Sequence, residues 1–319
     1  MSSDISYTTE EIAKLLKISK LTVYDLIKKG ELPSYRVGKQ MRVDASDLEA
    51  YKQRAKSKQS ALTPAVSDVS RPTPDPAVPP SVSEARHVVI TGQDLSLDIL
   101  AKHMEKQLPG LRPLRAYVGS MDSLISMYQG KSDIVSTHLL DGDTGEYNIP
   151  YIRKLLVGSS YVVVNLLSRQ AGLYVQKGNP RGIHGWADLQ QPGLRIMNRE
   201  KGAGARVLLD EQLRLHHMEP SALDGYLYEE STHLAVAGKV ASGEADAGVG
   251  IEKAALLVGG VDFIPLIQER YDLVMLKKPE NLTWIQGVIE ILQSEAFQGE
   301  LRAIQGYDLS LTGRVLLET

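Results

Sequence analysis

The hydrophobic pattern between Leu194 and Leu213 predicts a strand, a tight turn and a helix. An apolar run leads into a turn of four small residues, Gly202 to Ala205, and apolar residues then recur at helical spacing. Because the turn carries so little side chain, a ligand can approach its backbone, and the free N–H groups that open a helix suit an anion. A compact packing turn would have the same composition, so both interpretations stay open at this point.

Near the N-terminus, the apolar positions predict two short helices, a hairpin and a third helix. Thr8 and Glu11 have the spacing of a capping box before the first helix, and Ser19 can cap the second helix. Gly38 and Lys39 form a Gly-first two-residue turn of the kind that closes a β-hairpin. This order of elements is typical of a small winged helix-turn-helix domain.

Prolines and polar residues interrupt the pattern between Gln59 and Ala85, which is typical of an extended linker. After the linker, strand and helix patterns alternate, and the helix-ending sequences GKSDIV and GEADAG resemble each other. The repeat favours two similar lobes, each with a mainly parallel sheet. We therefore predict an α/β fold with a winged helix-turn-helix domain at residues 1–58, a linker at 59–85 and a two-lobed domain at 86–319.

Four apolar runs in this two-lobed domain are interpreted as strands that cross between the lobes twice: Tyr161–Leu167, Leu173–Val175, Val261–Leu266 and Tyr271–Leu276. Two crossings would form a hinge. Lobe 1 is then expected at about residues 86–168 and 261–319, and lobe 2 at about 169–260. The final helices, predicted at Thr283–Gln293 and Ala296–Ile304, would pack on lobe 1.

The amino-acid composition limits which classes of function this protein can have. The chain has 319 residues, 43% of them hydrophobic, and no cysteine, which excludes disulfides, thiol nucleophiles and cysteine-ligated metals. The N-terminus lacks the apolar core of a signal peptide, and no run approaches the roughly 18 apolar residues of a membrane span. We therefore expect a cytoplasmic protein with no membrane partner.

The charge is unevenly distributed along the chain. Residues 1–58 contain 12 Lys and Arg against 8 Asp and Glu, a net charge of +4, whereas the whole chain has a net charge of −3. A basic N-terminal domain on an acidic remainder is typical of a nucleic-acid-binding domain joined to a domain with another role.

The KKGELP junction, the RVGKQMRV wing and the closing DL together resemble the excisionase and MerR-like winged helix-turn-helix families over roughly residues 5–55. The resemblance implies that the second helix enters the major groove of double-stranded DNA and that the wing lies along the backbone or minor groove. For any single Lys or Arg, a solvated surface charge is an equally good interpretation. The residues expected to contact DNA are Lys20, Thr22, Tyr24, Lys28, Arg36, Lys39 and Arg42.

The segments QAGLYVQKGNPRGIHGWADL, LRIMNREKGAGARVLLDEQL and HLAVAGKVASGEADAGVGIEKAA resemble the type II periplasmic-binding-protein fold, in particular the molybdate- and tungstate-binding-like domains fused to regulators. In that family, hydroxyl and backbone N–H groups hold the ligand between two lobes. This chain departs from the family at Ala203 and Ala205, where relatives carry Ser and Thr, and near Ile251, where molybdate binders carry a tyrosine. The resemblance implies ligand contacts from Thr91, Gly92, Ser120, Asn198, Gly202, Ala203, Gly204, Ala205, Arg206, Thr232 and His233.

Some polar residues admit a structural interpretation. Arg206 could meet an anion or hold Asp210 at i+4. His216-His217 is interpreted as a solvated helix end rather than a metal pair. Two aspartates are too far apart in the predicted lobes for a catalytic dyad and are interpreted as turn or cap groups: Asp133 and Asp246.

The sequence therefore predicts a ligand-responsive DNA-binding transcriptional regulator, acting as a homodimer, that senses a small anion, molybdate or tungstate first. We expect no enzymatic activity, because the sequence contains no nucleophile motif, and we expect no metal and no cofactor. Two alternatives stay open: the C-terminal domain is a dimerisation or protein-interaction module, or it senses an organic small molecule.

Overall fold

The structure is a computed structural model that describes residues 6–16, 20–28, 32–37, 40–57 and 85–319. The chain divides into two compact units, Met1–Val78 and Pro79–Thr319. The predicted linker, residues 59–85, lies outside the described residues except for Ala85, so its bounds stay a prediction.

The N-terminal unit combines three helices with a small antiparallel sheet in the order β1-β3-β2. Its core contains Ile12 from the first helix, Val23 from the second and Val43 from the sheet, all fully buried. The β1 strand was not predicted. The elements are β1 Ser6–Thr8, α1 Thr9–Leu16, α2 Lys20–Lys28, β2 Tyr35–Val37, β3 Gln40–Asp44 and α3 Ala45–Ser57.

The predicted capping box at the start of α1 is confirmed. The backbone N–H of Thr8 donates to the Glu11 carboxylate at 2.8 Å, and the N–H of Glu11 donates to Thr8 Oγ1 at 3.3 Å. These bonds satisfy donors that a helix start otherwise leaves free. Ser19, Gly38 and Lys39 lie outside the described residues, so the second cap and the hairpin turn stay predictions.

The C-terminal unit is built on one sheet with the order β5-β4-β6-β11-β7-β10-β8-β9, and two short strands also pair with β7. We call the part around β4, β5 and β6 lobe 1, and the part around β8, β9 and β10 lobe 2. Strands within each set pair in parallel, which confirms the predicted α/β class. The strands are β4 Arg86–Thr91, β5 Leu111–Ala116, β6 Ile134–Thr137, β7 Tyr161–Gln176, β8 Ile196–Arg199, β9 Glu229–Glu230, β10 Ala247–Ile251, β11 Val261–Leu276, β12 Tyr307–Asp308 and β13 Val315–Glu318.

Two long antiparallel strands, β7 and β11, cross between the lobes. Each has 16 residues, so the prediction of four separate crossing strands was wrong in detail, although the two crossings are present. Polar residues in mid-strand concealed this continuity in the sequence. At the crossing, a Cβ on Gly172 would lie 1.9 Å from the carbonyl oxygen of Ile264, so only glycine allows the strands to approach here.

Helices cover both lobes and bury separate cores. In lobe 1, Trp284 and Phe297, one from each of the last two helices, share a core with Val88 and Ile90, which confirms that both helices dock on this lobe. The short strands β12 and β13 follow those helices and were not predicted. The helices are α4 Ser96–Gln107, α5 Ser120–Tyr128, α6 Ile149–Leu155, α7 Gly204–Leu215, α8 His233–Ala241, α9 Glu252–Val258, α10 Leu282–Gln293 and α11 Glu295–Arg302, with 3-10 turns at Trp186–Gln190, Pro220–Ala222 and Pro279–Asn281.

Asp133 and Asp246 are turn groups, as their sequence positions indicated. Asp133 accepts the N–H of Val89 at 2.8 Å, and Asp246 accepts the N–H of Arg195 at 2.8 Å. The two carboxylates therefore hold equivalent junctions in the two lobes. His216 caps the C-terminal end of α7. Within the described residues, no group of three or more His, Cys, Asp or Glu side chains could hold a metal ion, and no helix is long and apolar enough to cross a membrane.

Candidate functional site

A cavity of about 510 Å³ lies between the two lobes of the C-terminal unit. Lobe 1 contributes the turn after β4 and the start of α5, whereas lobe 2 contributes the starts of α7 and α8. The end of a strand followed by the start of a helix leaves backbone donors free, so this position suits ligand binding. Six residues expected to contact a ligand line the cavity: Gly92, Ser120, Ala203, Gly204, Thr232 and His233.

Three of the other expected ligand contacts are engaged elsewhere. Thr91 Oγ1 lies 3.1 Å from Ser132 Oγ, and the Asn198 carboxamide donates to the carbonyl of Tyr226 at 3.2 Å. The Gly202 carbonyl accepts the N–H of Met121 at 2.9 Å. These three and Ala205 and Arg206 do not belong to the lining of the cavity.

Arg206 forms ion pairs within the protein, with Asp210 among its partners, and does not line the cavity. Its Nε pairs with Asp210 at 3.2 Å, its Nη1 pairs with Glu229 at 3.0 Å, and its guanidinium stacks on the Tyr226 ring at 4.2 Å. The side chain is almost fully buried. Arg206 therefore holds α7 to the neighbouring strand β9.

The two lobes touch at the small-residue turn. The bond from Met121 N–H to the Gly202 carbonyl joins α5 of lobe 1 to the turn before α7. A Cβ on Gly119 would lie 2.9 Å from the same carbonyl, so the absence of a side chain on lobe 1 also permits this approach. The structure therefore represents a closed arrangement of the lobes at this point.

The His138 ring packs against the first residue of α7. A Cβ on Gly204 would lie 2.4 to 2.7 Å from three atoms of that ring. The ring is held in place, because His138 Nδ1 donates to Glu269 at 2.9 Å and the ring contacts that of Tyr271 at 5.3 Å. The small-residue turn thus serves the packing of the two lobes, which was one of its two sequence interpretations.

A buried charge network, which the sequence reasoning missed, forms the floor of the cavity. Arg169 on β7 pairs with Asp94 through Nη1 and with Glu269 through Nε. Its guanidinium also stacks on the Tyr271 ring at 4.6 Å. Asp94 further accepts the Tyr307 hydroxyl at 2.6 Å. A buried Arg held by two carboxylates fixes the crossing strands to the turn after β4.

Opposing effects set the pKa values of the two carboxyls. Burial raises the pKa of a carboxyl group, but the Arg169 guanidinium outweighs burial at both sites. It holds the pKa of Asp94 below its ordinary value, and with His138 it holds the pKa of Glu269 well below its ordinary value. Both groups are therefore charged at neutral pH.

The signal for this network was present in the sequence. Arg169 and Glu269 interrupt apolar runs that are otherwise typical of buried strands, and such charges are buried only when they are paired. Arg169 on β7 lies directly opposite Glu269 on β11 in the strand register. Once the two runs are recognised as neighbouring strands, the pair can be predicted.

Other polar groups around the cavity differ in whether they have hydrogen-bond or ion-pair partners. Arg199 pairs with the Glu200 carboxylate at 2.8 Å and donates to Gln93 at 2.7 Å. His233 Nδ1 is buried and has no hydrogen-bond partner among the described residues. Burial lowers the pKa of His233 well below 6.5, so its imidazole is neutral at physiological pH.

Most of the residues predicted to contact DNA lie on α2 and the wing strands. Lys20 pairs with Glu10 at 2.5 Å, and Arg42 donates to Ser6 Oγ at 3.1 Å. Tyr24 and Arg36 are exposed. Thr22 has an interaction within the protein. The side chain of Lys28 and the whole of Lys39 lie outside the described residues.

Comparison with known proteins agrees with this two-part architecture. Residues 6–56 match a family described as "Helix-turn-helix domain", and residues 101–293 match one described as "PBP superfamily domain". The second match covers more than half of the chain. The chain belongs to the family described as "PBP superfamily domain". Both families are binding domains, not catalytic families.

One relative matches over its full length, and solved structures share the fold. The uncharacterized protein YvgK of Bacillus subtilis (strain 168) is 52% identical, with 100% of both chains covered. A putative phosphate ABC transporter substrate-binding protein from Clostridium perfringens, solved with phosphate, has a TM-score of 0.52 at 15% identity, covering 70% of this chain and 99% of that one. A mutant of OxyR from Corynebacterium glutamicum, solved with hydrogen peroxide, has a TM-score of 0.51 at 13% identity, covering 93% and 89%. At these identities the structural likeness shows the fold alone.

Proposed function

We propose that this protein is a DNA-binding transcriptional regulator whose PBP domain responds to a small ligand. The observation that carries the proposal is the cavity between the lobes, on the same chain as a helix-turn-helix domain. Because β7 and β11 join the lobes, a ligand that contacts both lobes would favour the closed arrangement.

The location and assembly follow from the DNA-binding role. A helix-turn-helix protein acts where its DNA lies, so we place it in the cytoplasm. One small winged domain makes few base contacts, and symmetric dimers on repeated half-sites are the common remedy. We therefore propose a homodimer on a two-fold operator.

The prediction that the ligand is molybdate or tungstate stays a prediction. The N–H groups that open α7 support it, because a helix start leaves donors for an anion. Two features favour an organic ligand over a tetrahedral oxyanion. The His138 ring packs against the start of α7, and the cavity of about 510 Å³ is large for one tetrahedral ion.

The direct test is a thermal-shift screen of the full chain against molybdate, tungstate, sulfate, phosphate and a set of small organic compounds. A ligand that binds only the folded state raises the melting temperature as its concentration rises above Kd. At least one compound should raise the melting temperature, and the increase should grow with the logarithm of its concentration above Kd. If none does, while the protein still binds duplex DNA, the PBP domain is a dimerisation or interaction module instead.

A further inference from the structure

The cavity has a markedly apolar mouth. Four large apolar side chains line it while remaining exposed, two from lobe 1 and two from lobe 2: Leu95 49%, Tyr117 62%, Leu234 47% and Leu257 67%. Exposed apolar groups that cluster around one concavity mark a binding site more often than a solvated surface. They offer nothing to a hydrated inorganic ion, but they would cover the apolar body of an organic molecule.

The size of the cavity points the same way. A volume of about 510 Å³ lies within the range of about 300–1,000 Å³ found for cavities that hold organic ligands. A tetrahedral ion has one central atom and four oxygens, so it would leave most of the lining in contact with water. An organic ligand can contact both lobes at once.

Three cationic side chains line the cavity, and two of them are neutralised by carboxylates. Arg169 has Asp94 and Glu269 as partners, and Arg199 has Glu200. These guanidinium groups are therefore occupied in holding the fold. They are poor anchors for a ligand, because a ligand anion would have to compete with a carboxylate already in place.

Lys253 differs from these two arginines. No carboxylate of the described residues lies within ion-pair distance of its ammonium group. Its Nζ donates to the Tyr307 hydroxyl at 3.2 Å and lies 4.9 Å from the centre of that ring. The hydroxyl itself donates to Asp94, so Tyr307 lies between Lys253 and that carboxylate, which acts on the ammonium group from beyond ion-pair distance.

The environment of Lys253 favours an added anion. The side chain is half-buried, and burial lowers the pKa of its ammonium group. A partly desolvated cation without a carboxylate partner gains more from a ligand anion than a fully hydrated surface lysine does.

We propose that the cavity binds an organic anion, with its apolar body between Leu95 and Tyr117 on one side and Leu234 and Leu257 on the other, and with its anionic group on Lys253. This ligand class rests on the proposed function, because it specifies what the same cavity accepts. Lys253 acts as the residue that distinguishes anionic from neutral ligands of the same shape.

A pair of fluorescent probes tests the proposal on the full chain. 8-Anilinonaphthalene-1-sulfonate carries an apolar body and one sulfonate, and N-phenyl-1-naphthylamine has the same ring system without the charge. We expect saturable binding of both probes, tighter for the sulfonate. Lys253→Gln should lower the affinity for the sulfonate probe about tenfold, as loss of one hydrogen bond to a charged group implies. The affinity for the neutral probe should stay unchanged.

Two control variants separate charge from folding. Lys253→Arg keeps the cation and should keep most of the sulfonate affinity. Lys102→Gln removes an exposed lysine that does not line the cavity, and it should change neither probe. Circular dichroism melting of each variant reports whether the fold is retained.

The outcomes distinguish this proposal from the one on which it rests. If Lys253→Gln lowers the affinity for both probes equally, or for neither, the role of Lys253 is overturned but a ligand-binding cavity remains. Binding of molybdate or tungstate with neither probe bound overturns the organic ligand class and supports an oxyanion sensor. If neither probe nor any compound of the thermal-shift screen binds, both the organic-anion proposal and ligand sensing fail.

Discussion

At the scale of single residues, the cavity is organised by a few groups that cannot change size or charge freely. Gly204 meets the His138 ring, which is itself held by Glu269. Arg169 lies between two carboxylates and is 5% exposed, so its charge is balanced within the protein rather than by water. These contacts predict different consequences for a volume change and a charge change.

A methyl group at Gly204 should destabilise the PBP domain. In Gly204→Ala the new Cβ would enter the space of an imidazole that cannot swing away without losing its bond to Glu269. Overpacking of this kind costs about 1–3 kcal/mol. Urea unfolding of the full chain, followed by far-UV circular dichroism, measures the change.

Gly238→Ala is the matched control for Gly204→Ala. Gly238 lies inside α8 and a Cβ there would have no neighbour within 4 Å among the described residues. Alanine in a helix interior is favoured over glycine by about 0.5–1 kcal/mol, so this variant should be slightly more stable than the parent. Equal destabilisation by both variants would contradict the close packing of His138 on α7.

Glu269→Gln should change how stability depends on pH. Because the pKa of Glu269 in the folded protein lies below its ordinary 4.5, the carboxylate stabilises the fold above pH 4.5, and that stabilisation is lost as the pH falls below it. The variant lacks the titrating group, so its stability should fall less steeply over that acidic range. At neutral pH it should be less stable by about 3–5 kcal/mol, because Arg169 loses one of two buried partners.

Urea unfolding from neutral pH to about pH 3 compares the two proteins across the range in which the carboxyl of the unfolded chain titrates. Glu295→Gln is the control, since that carboxylate is exposed beside Arg302 and its loss should leave the profile almost unchanged. A Glu269→Gln profile parallel to that of the parent would contradict this account, because it would show that folding does not shift the pKa of Glu269.

At the scale of elements, the wing strands β2 and β3 present two arginines in different states. Arg36 on β2 is exposed, whereas Arg42 on β3 donates to Ser6 of β1 and is half-buried. A side chain already bonded within the sheet is less available to a phosphate than a free one. The two positions therefore separate phosphate contact from stabilisation of the sheet.

Arg36→Ala should weaken binding to every duplex tested and reduce the slope of log K against log salt by about 0.9, the value for one phosphate contact. Arg42→Ala should reduce the slope less and lower the melting temperature of the N-terminal domain, because it removes the link to Ser6. Fluorescence anisotropy with a labelled duplex over a salt series measures both. A larger slope change for Arg42→Ala would reverse these assignments.

Much of the element order could be predicted from the sequence, because it depends on local signals. The Thr8–Glu11 cap, the glycine-ended helices before Asp133 and Asp246, and the apolar runs of β7 and β11 are all readable within a short window. The short strands β1, β12 and β13 have almost no local pattern, since they form only when a distant partner strand is present.

The site was harder to predict than the fold. Ser120, Gly204, Thr232 and three further expected residues do line the cavity, because strand ends and helix starts can be located from the pattern. The network around Arg169 depends on pairs separated by 75 and 100 positions, and no local signal identifies such partners. The contact between His138 and Gly204 likewise exists only after the two lobes meet.

At the scale of the whole molecule, ligand and DNA are expected to influence each other through the arrangement of the lobes. A ligand that contacts both lobes favours the closed form, and by linkage DNA binding shifts the affinity for the ligand by the same factor. Couplings of this kind are typically about 5- to 150-fold in affinity. A ligand with equal affinity for both arrangements would bind without regulating.

Lys253→Gln should reduce the response to an organic anion without reducing DNA affinity in its absence. Lys253 lines the cavity and is not one of the residues predicted to contact DNA. In the variant, the ligand concentration that gives half of the response should rise about tenfold. A fall in DNA affinity without any ligand would instead indicate a structural role for Lys253.

The measurement that tests the account most directly is the affinity of the full chain for a genomic duplex that it selects from fragmented DNA, with and without the compound that most raises its melting temperature. Fluorescence anisotropy at fixed salt gives Kd in both conditions. We predict a change of at least about fivefold in the parent protein, in either direction, with a smaller response in Lys253→Gln at the same ligand concentration. A compound that saturates and stabilises the protein yet leaves the Kd for DNA unchanged would contradict ligand-responsive regulation.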